Sequence, residues 1–153
     1  IIADGRTNYA TATRFPRATK VLLAKPAKVL EEIHTDERTV FLLMTHNYNY
    51  DLMLLRKLLD TATPYIGILG PRKKTMMMLE EIEADGKKLT LEQLDKIHGP
   101  TGLDTGAENS EEIALSICAE INAVVNNKPG TKLRNREEPI HAGTNTPHKT
   151  PAK

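Results

Sequence analysis

A single cysteine, no tryptophan and an aromatic content of only 4% are what this 153-residue chain is short of. One cysteine closes no internal disulfide, so a disulfide-stapled scaffold is excluded and a reducing, cytoplasmic setting is expected. Nor does charge of one sign dominate: 21 basic against 20 acidic residues leave a formal charge of +1, without the basic footprint of a nucleic-acid binder. No apolar run is long enough to cross a bilayer and no basic-apolar leader opens the chain, so no membrane partner is expected. The five histidines are dispersed, and none has metal-ligand spacing near carboxylates. No protein-bound metal is therefore expected. A P-loop, a GxSxG elbow and internal repeats are also missing, so the sequence names no catalytic residue.

What remains is an ordinary 39% hydrophobic and 27% charged composition, suited to one α/β domain with an aliphatic core. Short apolar runs at residues 1–3, 21–24, 39–45 and 65–69 alternate with helical patterns. The run at 39–45 is nearly continuous and predicts a central parallel strand covered on both faces. Pro26 opens a brief helix through Val29, Leu30 and Ile33, and Leu52, Leu55, Leu58 and Leu59 share the face of another. Met78, Leu79 and Ile82 mark a third, in which the methionines read as core filler. Thr90 with Gln93 forms a capping box ahead of Leu91, Leu94 and Ile97. Asn109 with Glu112 forms another, opening a helix over 110–125 whose apolar stripe holds Cys118 as a small core residue without chemistry. From Asn126 onward the composition turns to Lys, Arg, Pro, Thr, Asn and Gly. We divide the chain at that shift into a domain over 1–127 and a tail over 128–153, partly extended or disordered.

In open α/β sheets ligands bind beyond the carboxyl ends of the strands. Asp4, ending the first run, is either the acidic residue that holds a ribose hydroxyl or a turn cap. Thr45 and His46 stand at the end of the third run, His46 as a ligand contact or as a partner for loop backbone. Gly67 and Gly70 lead into Pro71-Arg72-Lys73-Lys74, where a helix start beside three cations is either an anion site or a solvated helix face. Pro71 offers no N–H to that site. The glycine- and proline-rich loop from His98 to Gly106 is expected to converge on the same edge.

Three separated stretches together resemble the C-terminal, Rossmann-like domain of the XdhC/CoxI family, maturation factors of xanthine and carbon monoxide dehydrogenases. They are Thr45-His46 after an apolar strand, Tyr65-Ile66-Gly67-Ile68-Leu69-Gly70-Pro71-Arg72-Lys73, and Ile97-His98-Gly99-Pro100-Thr101-Gly102-Leu103-Asp104-Thr105-Gly106-Ala107 leading to Glu111-Glu112-Ile113-Ala114-Leu115-Ser116-Ile117. Asp4 and Arg6 before Arg14-Phe15-Pro16 match the segment after the family's second strand, and Gly130, Leu133, Arg134, Arg136, Pro139, Ile140 and His141 resemble its tail. The resemblance departs where Pro71 replaces a usual serine and Asn47 a usual acidic residue.

The resemblance implies an α/β, Rossmann-like parallel sheet with helices on both faces, lacking its first strand in this chain. The two strands flanking that position would have free edges, to be filled by an N-terminal portion of the same protein or by a second subunit. It also implies an accessory factor that binds a molybdopterin-type molybdenum cofactor for a xanthine dehydrogenase-type client, with a homodimer as one assembly. The cofactor-binding residues so implied are Asp4, Arg6, Thr45, His46, Gly67, Gly70, Arg72, His98 and Gly102. The alternatives are an NAD(P)-dependent oxidoreductase, favoured by Asp4 but without an identifiable hydride-transfer site, and a nucleotide-binding interaction domain.

Overall fold

The structure, a computed structural model, describes residues 1–137. Strands and helices alternate as β1 (Ile2–Asp4), β2 (Val21–Leu23), α1 (Pro26–Val29), β3 (Val40–Leu43), α2 (Tyr48–Leu58), β4 (Tyr65–Ile68), α3 (Arg72–Ala84), α4 (Leu91–Asp95), β5 (Ile97–His98) and α5 (Ser110–Val125). All pairings are parallel. Ala3 lies opposite Leu22 in a two-stranded sheet, and Leu42, Gly67 and His98 lie side by side in a three-stranded sheet ordered β3-β4-β5. In the Rossmann order 3-2-1-4-5-6, β2-β1 supplies 3-2 and β3-β4-β5 supplies 4-5-6. The position between β1 and β3 is filled by no strand among the described residues, as the sequence predicts.

β4 is buried along its whole length because its two faces serve two layers. Ile66 and Ile68 pack with Leu55 and Leu58 of α2 and with Met78 and Ile82 of α3. Each aliphatic side chain buried there contributes roughly 1.5–3 kcal/mol. On the other face, Tyr65 reaches Glu120 of α5, and Gly67 lies under the side chains of Leu42 and Thr101. The two-stranded sheet is tied to α2 by the Tyr50 hydroxyl, which donates to the Ala24 carbonyl at 2.8 Å. Lys57 Nζ adds a bond to the Ala27 carbonyl at 2.8 Å.

Four local expectations are corrected. The β3 strand is not covered on both sides: Leu42 is 39% exposed and the neighbouring Met44 52% exposed, because β3 is the edge of its sheet. Ile97 belongs to a strand, not to the preceding helix, since α4 ends at Asp95 and Ile97 pairs with Ile66. Of the methionine run only Met78 is buried, Met76 and Met77 facing outward. Cys118 is exposed, because α5 turns Ser116 and Ile117 inward instead. Both helix caps form, that of Thr90 as the full reciprocal box and that of Asn109 through its side chain accepting from Glu112 N at 2.9 Å. The tail positions Pro139, Ile140 and His141 lie outside the described residues.

Candidate functional site

At the end of β1 the chain reverses through Gly5, and Arg6 folds back onto Asp4. Arg6 N and Nε each donate to Asp4 Oδ1 at 2.9 Å, and Nη2 donates to Oδ2 at 2.7 Å. This bidentate pairing holds the Asp4 carboxyl below the usual carboxylate range, chiefly through the side-chain bond to Arg6. The same Nη2 donates to the Thr45 carbonyl at 2.8 Å, so one guanidinium joins the carboxyl ends of the two sheets. Its flat face lies 3.8 Å from the centre of the Tyr9 ring.

The polar chain continues from Thr45. Its hydroxyl donates to Asp51 Oδ1 at 2.7 Å, and the fully buried Asp51 accepts from Lys74 Nζ on Oδ2 at 2.9 Å. Lys74 also donates to the Leu69 carbonyl at 3.3 Å, just past β4. Asp4, Arg6, Thr45, Asp51 and Lys74 thus form one polar chain along the carboxyl ends of β1, β3 and β4, with neutral Thr45 linking two ion pairs. His46, at φ 56°, turns the chain from β3 into α2, where Asn47 caps the helix by accepting from Tyr50 N at 3.1 Å. Gly70, at φ 127°, makes the corresponding turn from β4 toward α3.

A cavity of about 210 Å³ opens beside this chain, lined among others by Asp4, Arg6, Lys25, Thr45, Asn47 and Tyr50. Burial, with Asp4 and Asp51 nearby, pushes the Tyr50 phenol up to about 12. Of the predicted site residues, Asp4, Arg6 and Thr45 line the cavity and His46 follows Thr45 on the chain. Arg72 and Lys73 are exposed, and Lys74 is committed to Asp51, so the three cations do not form a common cradle.

Gly67, His98 and Gly102 belong to a second polar cluster, between β4 and α5. Tyr65 donates its hydroxyl proton to Glu120 Oε2 at 2.5 Å and accepts from Thr101 Oγ1 at 2.5 Å. Gly102 N donates to the same carboxylate oxygen at 2.8 Å. His98 stacks on the Tyr65 ring with centroids 4.2 Å apart, and its Nδ1 lies 3.5 Å from Glu120 Oε1. Burial first, and then the Glu120 bond, push the Tyr65 phenol above its ordinary range. Sequence reading missed Lys25, Tyr50, Asp51 and Glu120 as members of these networks, and it set Lys74 at an anion site or solvated helix face where the structure pairs it with Asp51. An acidic residue in a first helical turn, such as Asp51, is ordinarily explained by the helix dipole alone.

A family profile described as the XdhC Rossmann domain matches residues 1–121. The chain belongs to the XdhC family. This XdhC domain is 33% identical over 121 residues to a probable xanthine dehydrogenase subunit of Bacillus subtilis, covering 79% of this chain and 34% of that protein. It is 28% identical over 99 residues to the molybdenum cofactor insertion chaperone PaoD of Escherichia coli, covering 65% of this chain and 30% of that one. A crystal structure of a xanthine dehydrogenase from Bacillus halodurans superposes with a TM-score of 0.69 at 30% identity, over 82% of this chain and 36% of that one. The domain therefore spans about a third of the length of these relatives.

The donors of the cavity wall match one end of a molybdopterin-type cofactor. Asp4, Arg6 and Lys25 leave one surplus positive charge there, which suits the phosphate end of such a cofactor. Its named lining carries no sulfur ligand for molybdenum, and Cys118 sits on the exposed side of α5.

Proposed function

We propose that this XdhC domain, spanning residues 1–127, holds a molybdopterin-type molybdenum cofactor by its phosphate-bearing end. The protein that carries it would serve as an accessory factor for maturation of a xanthine dehydrogenase-type client. The observation that carries the reading is the cationic cavity at the carboxyl ends of β1 and β3, where Rossmann-like sheets place their ligands. Similarity to a molybdenum cofactor insertion chaperone supports the choice of cofactor.

When bound, the cofactor supplies the molybdenum chemistry that the client uses. The domain's own residues bind and orient: Arg6 and Lys25 supply positive charge, and Tyr50 remains a neutral phenol at physiological pH. The free edges of β1 and β3 would receive one further parallel strand, from another portion of the same protein or from a second subunit.

Anaerobic purification of the full-length protein from a host competent in cofactor synthesis tests the reading. Pterin fluorescence after oxidation, approaching one equivalent per protein, is expected, and its complete absence refutes cofactor binding. The end of β1, where Asp4 and Arg6 stand, is also where a Rossmann-like fold seats the ribose end of a nicotinamide dinucleotide, which gives a second reading, dinucleotide binding for an oxidoreductase. Micromolar binding of NAD or NADP together with turnover of an alcohol or aldehyde would establish that reading in place of the first.

A further inference from the structure

We infer that the cavity beside β1 recognises a phosphate monoester through Arg6 and Lys25, and that Asp4 serves to position Arg6 and does not grip a ribose diol. The inference deepens the cofactor reading and rests on it for the location of the site. In a dinucleotide fold the acidic residue ending the second strand accepts hydrogen bonds from ribose hydroxyls. Here that carboxylate is already engaged. Oδ1 accepts from both Arg6 N and Arg6 Nε, and Oδ2 accepts from Nη2. A diol would have to displace a bidentate, charge-assisted pair, whereas a phosphate would leave it in place.

The guanidinium is built to accept such a group. Nε and Nη2 are spent on Asp4 and the Thr45 carbonyl, leaving both N–H donors of Nη1 without a protein acceptor among the described residues. The bond to Thr45 and the stacking on Tyr9 fix its plane, while its side chain stays 41% exposed. Lys25 lines the same cavity, and its side chain forms no ion pair or hydrogen bond with the described residues. A dianionic phosphate therefore meets the two preoriented Nη1 donors of Arg6 and a second cation, Lys25. The phosphate can belong to a nucleotide or to a pterin, because both present the same monoester group.

Calorimetric titration of the full chain with 2′-AMP, adenosine, 6-hydroxymethylpterin phosphate, 6-hydroxymethylpterin and inorganic phosphate tests this. At least one phosphate ester is expected to bind about tenfold or more tightly than its unphosphorylated counterpart, and inorganic phosphate to compete with it. A preference in the adenosine pair identifies a nucleotide source, and one in the pterin pair a pterin source. Arg6→Ala should abolish the preference. Should that variant fail to fold, Lys25→Ala, which removes no side-chain hydrogen bond or ion pair within the described residues, should lower affinity for the phosphate ester about threefold or more and leave the unphosphorylated ligand unchanged.

The inference is overturned if adenosine binds as tightly as 2′-AMP and the pterin pair shows no preference. It is equally overturned if no phosphate ester binds at millimolar concentration, if the preference survives in folded Arg6→Ala, or if it is undiminished in Lys25→Ala. The cofactor reading fails separately, on absence of pterin from the purified protein, and a phosphate preference observed despite that absence would leave this inference standing.

Discussion

Replacing Lys74 by methionine should destabilise this domain more than any other single surface-proximal charge change. Asp51 is fully buried, and Lys74 is 19% exposed and 2.9 Å away. At an effective dielectric constant of about 20 their attraction is on the order of 6 kcal/mol, against which the desolvation of both groups must be set. Removing the lysine keeps the desolvation cost of Asp51 and loses its counter-charge, leaving only the Thr45 hydroxyl bonded to that carboxylate. Loss of about 3 kcal/mol is expected, equivalent to roughly 6–12 °C in Tm for a chain of this size.

Urea unfolding followed by circular dichroism measures this directly, in a cycle with Asp51→Asn and the double variant. With both charges gone, the double variant should be more stable than the sum of the single losses predicts, by about 2 kcal/mol. High salt should change that coupling little, because Asp51 is out of contact with solvent. A Lys74→Met cost below about 1 kcal/mol, or additivity within about 0.5 kcal/mol, would refute the claim that this pair holds the carboxyl edge together.

Three further outcomes follow from the geometry. Arg6 lowers the Asp4 pKa in the folded state, so the pair stabilises the fold above the ordinary carboxylate pKa and that contribution disappears as pH falls through the folded value. Stability curves of the native chain and Asp4→Asn should therefore separate near neutrality and converge in strong acid; parallel curves across that range would contradict the pairing. Tyr50, pushed up to about 12, should resist ionisation in spectrophotometric titration until the solution is strongly alkaline. Because its folded pKa is raised, it favours the folded state up to the unfolded value near 10 and loses that contribution as pH climbs further. Tyr50→Phe should remove that step from the absorbance curve. Gly67→Ala should cost about 1–3 kcal/mol by thermal melting, since an added Cβ would lie 2.6 Å from both Leu42 Cδ2 and Thr101 Oγ1.

The parallel architecture was legible because β-then-α alternation and helix caps are local signals. Asn109 and Thr90 cap the helices that their spacing predicts, and Asp4, Arg6 and Thr45 meet at one edge because each ends a strand or follows one directly. What escaped reading depends on contacts distant in sequence. Asp51 and Lys74 are separated by 23 positions, and Tyr65 and Glu120 by 55, so no periodicity links them. β5 has only two residues, too few for alternation to show. Cys118 lies on an apolar helical stripe in sequence, yet helix orientation, which the pattern leaves open over a stripe that wide, placed it outward.

Gly67 also bears on how the chain avoids misfolding. Because β4 is buried on both faces, a slip by one residue would exchange them, turning the Tyr65 hydroxyl away from Glu120 into the aliphatic layer around Leu55, Leu58, Met78 and Ile82, where it would be left unpaired. A slip by two keeps each face inward, so hydrophobicity alone does not oppose it. In β4 that error would bring Tyr65 or Leu69 to the place opposite Leu42 and His98 that Gly67 occupies. Space there does not admit even one methyl group without displacing Leu42 and Thr101. The absent side chain thus acts as a proofreading device, penalising the one misalignment that the burial pattern would otherwise let through.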